Sequence, residues 1–224
     1  MTSIFPTMPT RLDLVNAVLR RLREPEVDSV DENSYSKLIG DLVNDAKTLV
    51  ETAWDWSALR TTLTVTTLEG VFSYTLTGSQ NNIKELNVIN DTSNTSMSYQ
   101  TQKWFDEKYL MEDVVSGSPL YFTYNGIRSG TGDTKIDVYP KPDGAYTLRF
   151  NCVIRKDDLN FDGSFLYIPA PPVVHLAVAL AARERGETGG TSASEYFTIA
   201  NKYLSDAIAI DAAKHPEEVI FYTP

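Results

Sequence analysis

Asp158-Leu-Asn160-Phe-Asp162-Gly163 sets three oxygen-bearing side chains at alternate positions ahead of a glycine, the first half of a calcium-binding EF-hand loop. The second half fails. The twelfth position, which should supply a bidentate Glu, falls on Pro169, and the preceding segment reads as strand rather than helix. A turn closed by Asx hydrogen bonds accounts for the same residues. A second constellation would take Cys152 as nucleophile, His175 as base and Asp157 or Asp158 as orienter. A single cysteine in a strand behaves as a small hydrophobe, and His175 sits in an apolar run that suits a hydrogen-bonded core residue. Trp54, Trp56, Trp104 and twelve tyrosines could stack bases, but platforms for single strands line basic grooves. No catalytic residue, cofactor or metal is expected.

The charge balance argues the same way. Thirty acidic against twenty basic residues give a net charge of -10, the wrong sign for displacing counterions from phosphates. The short basic clusters, Arg20-Arg21-Leu22-Arg23 and Arg183-Glu184-Arg185, fall where helices end and cations complement the macrodipole. The longest apolar run, Val173 to Ala182 with His175 inside it, is about half of the ~20 residues a membrane span needs. The first nine residues lack the basic, apolar and cleavage regions of a secretory signal, so the protein is expected to act where it is made. One cysteine permits no internal disulfide.

These residues must be positioned by elements whose hydrophobic period changes twice. Thr10-Arg-Leu-Asp13 has the form of a capping box, and Leu12, Val15, Val18, Leu19 and Leu22 recur on one face until Glu24-Pro25, which predicts a helix over 12–23. A second helix is expected from Ser34 to Trp54, with a wide apolar stripe and a Gly40 that suits the close approach of a neighbour. From Leu59 the period becomes two. Strands are expected over 61–67, 71–76, 83–89, 119–124, 135–139 and 146–154, with Asn125-Gly126 as a hairpin turn and Pro140 to Gly144 as another. Residues 101–115, with Trp104 and Phe105, read as a short surface helix. After Pro169-Ala-Pro-Pro172 a nearly all-apolar helix runs over 173–185, and a fourth is capped by Ser194 and ends by Pro216.

The expected fold class is α+β. N- and C-terminal helices, residues 1–58 and 169–216, form an antiparallel bundle, and residues 59–168 form an inserted antiparallel β barrel or sandwich. Residues 217–224 are a tail whose Val219, Ile220, Phe221 and Tyr222 are prone to add as a strand to a partner's sheet edge. Trp54 and Trp56, two residues apart at a helix end, are expected to point differently. Trp56 and Trp104 are then candidates for contacts between subunits or at the junction of the two domains.

Several phrases occur in an order that resembles a known family. Asn16-Ala-Val-Leu19, Pro25 with Val27-Asp-Ser-Val-Asp31, and Val50-Glu51 with Ala53-Trp-Asp-Trp56 look like the opening of the tail tubular protein A family, the head-to-tail adaptors of short-tailed phages. Pro119-Leu-Tyr-Phe122, Ile136 to Gly144 and Leu166-Tyr-Ile-Pro169 follow in the corresponding order, so the likeness covers nearly the whole chain. The resemblance implies a structural virion protein without catalysis, a dodecameric ring between the portal protein and the tail nozzle protein. Its lumen would pass DNA without binding it specifically, and an acidic wall favours sliding. The alternative is a virion-associated β-rich module on a helical stem that binds protein or carbohydrate.

Overall fold

In the computed structural model, which describes residues 8–80, 82–185 and 191–215, the chain divides into two compact units. One joins Met1–Leu59 to Lys156–Pro224, and the other is Arg60–Arg155.

In the first unit, α1 (Arg11–Arg21) opens on the anticipated capping box. The Thr10 hydroxyl accepts from Asp13 N–H at 3.2 Å, and the Asp13 carboxylate accepts from Thr10 N–H at 2.9 Å. Asn33 and Ser36 cap α2 (Ser34–Ala53) in the same reciprocal way. Gly40 lies where a Cβ would come within 2.8 Å of both Arg11 Nη2 and Val30 Cγ1, so the close neighbour is an arginine head and a loop valine. Pro171 stands in the first turn of α4 (Ala170–Glu184), where no intrahelical N–H is needed. Val173, Val174, Ala177, Val178 and Ala181 of α4 are buried, and this helix packs on α1, α2 and α5 (Thr191–Ala212). Ser194, expected as the cap, lies inside α5, one turn beyond its observed start at Thr191.

Residues 156–168 were expected to close the strand segment. Their hydrogen bonds go to the helices instead. Leu159 and the Asn44 side chain exchange two hydrogen bonds, at 2.9 and 3.4 Å, and Lys47 Nζ donates to Lys156 O at 2.7 Å. Lys47 also pairs with Glu51 one turn on, at 3.1 Å, and both side chains are 2% exposed. The polar period of α2 therefore does not mark a solvated face along its whole length.

Among its described residues the second unit holds eight strands: β1 (Arg60–Thr66), β2 (Ser73–Thr75), β3 (Ile83–Asn90), β4 (Thr95–Ser96), β5 (Ser98–Tyr99), β6 (Tyr121–Ile127), β7 (Thr134–Tyr139) and β8 (Thr147–Ile154). They form two four-stranded sheets, ordered β1-β8-β3-β4 and β2-β7-β6-β5. Leu148 and Phe150 of β8 and Val88 of β3 share one buried cluster with Phe122, Ile136 and Val138 of the other sheet. The Phe122 and Phe150 rings meet edge to face at 5.6 Å. The sheets remain separate, so the barrel alternative is not what forms among the described residues. The β5–β6 pair is parallel, Ser98 opposite Tyr121 and Tyr99 opposite Phe122, which corrects the purely antiparallel expectation.

Asn125-Gly126 is a second correction. Both residues lie within β6, at an irregularity between Tyr124 and Ile127, and Gly126 has φ +73°. The positive φ of a turn signal is spent on a bulge. The reversal itself comes at residues 128–133, closed by Arg128 N–H to Asp133 O at 2.7 Å and Gly132 N–H to Arg128 O at 3.0 Å.

Candidate functional site

The calcium-like loop is a strap within the helical unit. Asp162 Oδ1 accepts from Val30 N–H at 3.2 Å, Asp162 O from Leu12 N–H at 3.2 Å, and Ser164 O from Arg11 N–H at 2.9 Å. Asn160 turns its carbonyl to Arg11 Nη1 at 3.3 Å. These acceptors satisfy N–H groups at the start of α1 and in the link to α2, groups that a helix cannot satisfy internally. Among the described residues no three His, Cys, Asp or Glu side chains converge to hold a metal.

Cys152 and His175 belong to different units. Cys152 is buried on β8, its thiol 3.5 Å from Thr61 O, and burial pushes its pKa up to about 11. Such a thiol is a poor nucleophile. His175 stacks on Tyr203 at 4.2 Å with the rings 7° apart, tying α4 to α5, and burial followed by the nearby Arg21 charge lowers its pKa. Three of the cluster arginines are likewise occupied: Arg20 pairs with Glu26 at 2.7 Å, Arg21 donates to Ala17 O at 2.7 Å, and Arg185 pairs with Glu24 at 2.6 Å over the Tyr35 ring.

The three tryptophans separate. Trp54 donates its indole N–H to Asp211 Oδ2 at 3.2 Å. The same carboxylate accepts from Ser57 N–H at 2.8 Å, Ser57 Oγ at 2.5 Å and Lys214 Nζ at 3.0 Å, which clamps the end of α5 to the segment after α2. Burial pushes the Asp211 carboxyl up, but the Ser57 and Lys214 donors outweigh it and hold the group below the usual carboxylate range. Trp56 is 1% exposed, with its N–H on Val50 O at 2.8 Å, and so presents no surface to a second copy.

Trp104 begins a different arrangement. It lies on α3 (Gln102–Asp106), which continues as a π-helical turn over Glu107–Met111. Its ring meets Tyr121 at 5.0 Å and Tyr139 at 5.3 Å, under Lys108 Nζ at 5.7 Å. Tyr109 stacks on Phe72 at 4.5 Å and donates to Val138 O at 2.6 Å, and burial holds its hydroxyl well above the ordinary pKa. Phe105 is buried beneath, so this helix is not simply on the surface. Leu110 and Met111 follow at 78% and 80% exposure, and Val114 and Val115 are also exposed. The sequence, in which residues 101–115 read as a short surface helix, did not distinguish this exposed apolar stretch from the aromatic base that carries it. The chemistry it offers is contact, since its polar groups are engaged and its side chains are bulky and apolar.

Val219, Ile220, Phe221 and Tyr222 lie outside the described residues. No helix among the described residues is long and apolar enough to cross a membrane. No curated protein matches the chain. Residues 9–218 match the family model described as SU10 adaptor protein, and the chain belongs to this family of phage head-to-tail adaptors.

Proposed function

We propose that the protein is a structural head-to-tail adaptor, assembled as a dodecameric ring in the virion neck between the portal protein and the tail nozzle protein. The observation that carries this reading is the family match over residues 9–218. The acidic composition supports a lumen that repels the DNA backbone and lets it slide. The separation of Cys152 from His175 into two units and the engagement of Asp162 by Val30 support a protein that acts by contact rather than catalysis.

In this reading the helical segments form the scaffold. The unit of residues 60–155 makes the contacts around or below the ring, with Trp104 and the exposed Leu110 and Met111 at a subunit boundary. Val219 to Tyr222 anchor the chain to the portal by strand addition. Like-charge repulsion between copies opposes spontaneous closure, so the free protein is a monomer and the portal templates the ring. The test mixes purified protein with its portal and follows the complex by native mass measurement and electron microscopy. Twelve copies per portal in one ring are expected. A trimer that binds glycan and ignores the portal would establish the β-rich binding module instead.

A further inference from the structure

Among the described residues, three of the four sheet edges in the second unit are blunted against further pairing. β2, β4 and β5 are two or three residues long. Past β4 and β5, the strands β3 and β6 carry register shifts, at Glu85/Asn87 and Tyr124/Ile127. β1 is different. It pairs with β8 in unbroken register over its seven residues, and it holds no proline, glycine, lysine or bulge.

The ladder fixes which backbone groups of β1 stay open. Thr67 N–H donates to Tyr146 O at 2.8 Å in the same register, and Thr61 O lies 3.5 Å from Cys152 Sγ. Antiparallel pairs alternate, so residues 61, 63 and 65 turn their N–H and C=O toward β8. Thr62, Thr64 and Thr66 turn theirs to the free side, where among the described residues they meet no hydrogen-bond partner. The side chains of these three are exposed, and the Thr62 hydroxyl donates to Asn151 Oδ1 at 2.8 Å, toward β8 and away from the edge. On the opposite face Leu63 and Val65 are half-buried against the core cluster. In a chain of net charge -10, β1 and β8 hold Arg60 and Arg149 and no acidic residue, and Arg149 pairs with Asp91 at 2.8 Å.

We propose that the open edge of β1 receives an extended, acidic segment of a partner protein, added as a strand in which aliphatic residues alternate with carboxylates or hydroxyls. The edge offers donors and acceptors at a fixed spacing along one line, which another strand matches group for group. The alternation follows from the two faces. Aliphatic side chains beside Leu63 and Val65 extend the core cluster, and polar ones beside Thr62, Thr64 and Thr66 stay in water. The acidic character follows from the charge, since a carboxylate there meets no like charge on β1 or β8. A second copy's β1 would bring an arginine and no carboxylate, which makes it the poorer complement.

This site stands on the ladder and does not depend on the ring. The probe is a capped peptide, Asp-Val-Thr-Val-Glu-Val-Thr, added to the full-length protein while amide exchange is followed residue by residue. At about 1 mM peptide, exchange at Thr62, Thr64 and Thr66 is expected to slow about tenfold, the occupancy set by a Kd of about 0.1 mM. Leu63 and Val65, bonded to β8, should stay as they are. N-methylation of alternate peptide residues separates backbone pairing from side-chain contact: methyls in one phase should abolish the protection, and in the other phase leave it. Thr64→Pro removes an outward N–H that β8 does not use and should also abolish it, with protection at Leu63 and Val65 reporting that β1 keeps its place. Should that variant lose its fold, the methylated peptides decide on the unmodified protein. The proposal is overturned by no protection at about 1 mM, or by equal protection from both methylated forms. Equal binding to folded Thr64→Pro, or to a peptide with lysine in place of each carboxylate, would overturn it as well. So would slow exchange at Thr62, Thr64 and Thr66 without peptide, which assigns the edge to a second copy where it grows with protein concentration and to this chain where it does not.

Discussion

The helical unit and the β unit join distant parts of the chain by different means. Helices satisfy their backbone groups internally, so the segments between them bring unsatisfied N–H and C=O groups into the interior. Side chains meet that need: Lys47 reaches Lys156 O, Asp162 takes Val30 N–H, and Asp211 takes Ser57 N–H. In the β unit the backbone makes the distant links itself, β8 pairing with both β1 and β3. A few polar side chains add to these links, Asp133 accepting from Gly78 N–H at 2.9 Å and Asn90 donating to Pro119 O at 3.2 Å, while the buried apolar ones pack, as Leu148, Phe150, Phe122 and Val138 do. Charged tethers inside one unit and interlocking rings inside the other predict different responses to substitution.

The largest effect is expected in the β unit. Phe150→Ala removes a fully buried ring that meets Phe122 edge to face, and should cost about 3–5 kcal/mol. Denaturant titration with amide exchange resolved over residues 60–155 would measure it. A cost under about 1 kcal/mol would mean that the two sheets are not held by this cluster.

Lys47→Met comes next, in the helical unit. The methionine fills similar space but removes the Lys47 ammonium from the buried Glu51 carboxylate and from Lys156 O, at a cost of about 3 kcal/mol. The contrast between the units fails if Lys47→Met is neutral, because the charge would then be a tolerated passenger.

Asp211→Asn should cost about 2 kcal/mol near neutral pH by weakening four charge-assisted bonds around one carboxylate. Its pH dependence is specific. A carboxyl whose pKa is lowered on folding contributes full stability above the ordinary value near ~4 and loses it as pH falls through the folded value. The difference between the wild type and Asp211→Asn should therefore shrink on acidification below about pH 4. His175 acts with the same sign in a higher window. Its lowered pKa keeps the ring neutral when folded, so stability falls as pH drops below about 6.5, and His175→Gln should remove that earlier decline. Thermal melts of the three proteins across this pH range separate the two windows.

What was legible in the sequence follows the same division. Local chemistry found the helices, because the Thr10–Asp13 cap and the Pro171 start are contained in a few neighbouring residues. Strand positions were also legible from alternation, β1, β3, β7 and β8 lying within a residue or two of expectation. Strand partners were not, since period two names a face and not a neighbour. The pairing of β2 with β7 rather than β1 had no local signal. The burial of Lys47 and Asp211 had no local signal, because it depends on partners far along the chain, Lys156 O and Ser57. The 158–163 loop showed its oxygen-rich pattern correctly, but the N–H groups it serves lie at residues 11, 12 and 30. The exposed 110–115 stretch was hidden by the helical spacing that the π-helical turn interrupts.

The smallest effect concerns the turn signal that became a bulge. Gly126 has φ +73° and nothing within 4 Å of an added Cβ, whereas Gly144 has equal space and no left-handed conformation. Alanine at both positions separates conformation from packing. Gly126→Ala should cost about 1 kcal/mol, the penalty for forcing an L side chain into the left-handed region. Gly144→Ala should be neutral or stabilising by a few tenths of a kcal/mol, because it narrows the unfolded ensemble without strain. The bulge also sets how β6 continues past Tyr124 to Ile127, so amide exchange at Ile127 and Thr134 should rise in Gly126→Ala while the Phe122–Val138 pairing stays protected. If protection is lost along all of β6, the bulge is needed for the register of the sheet. The β unit would then rely on a local backbone device as much as on its packed rings, and the contrast with the tethered helices would narrow.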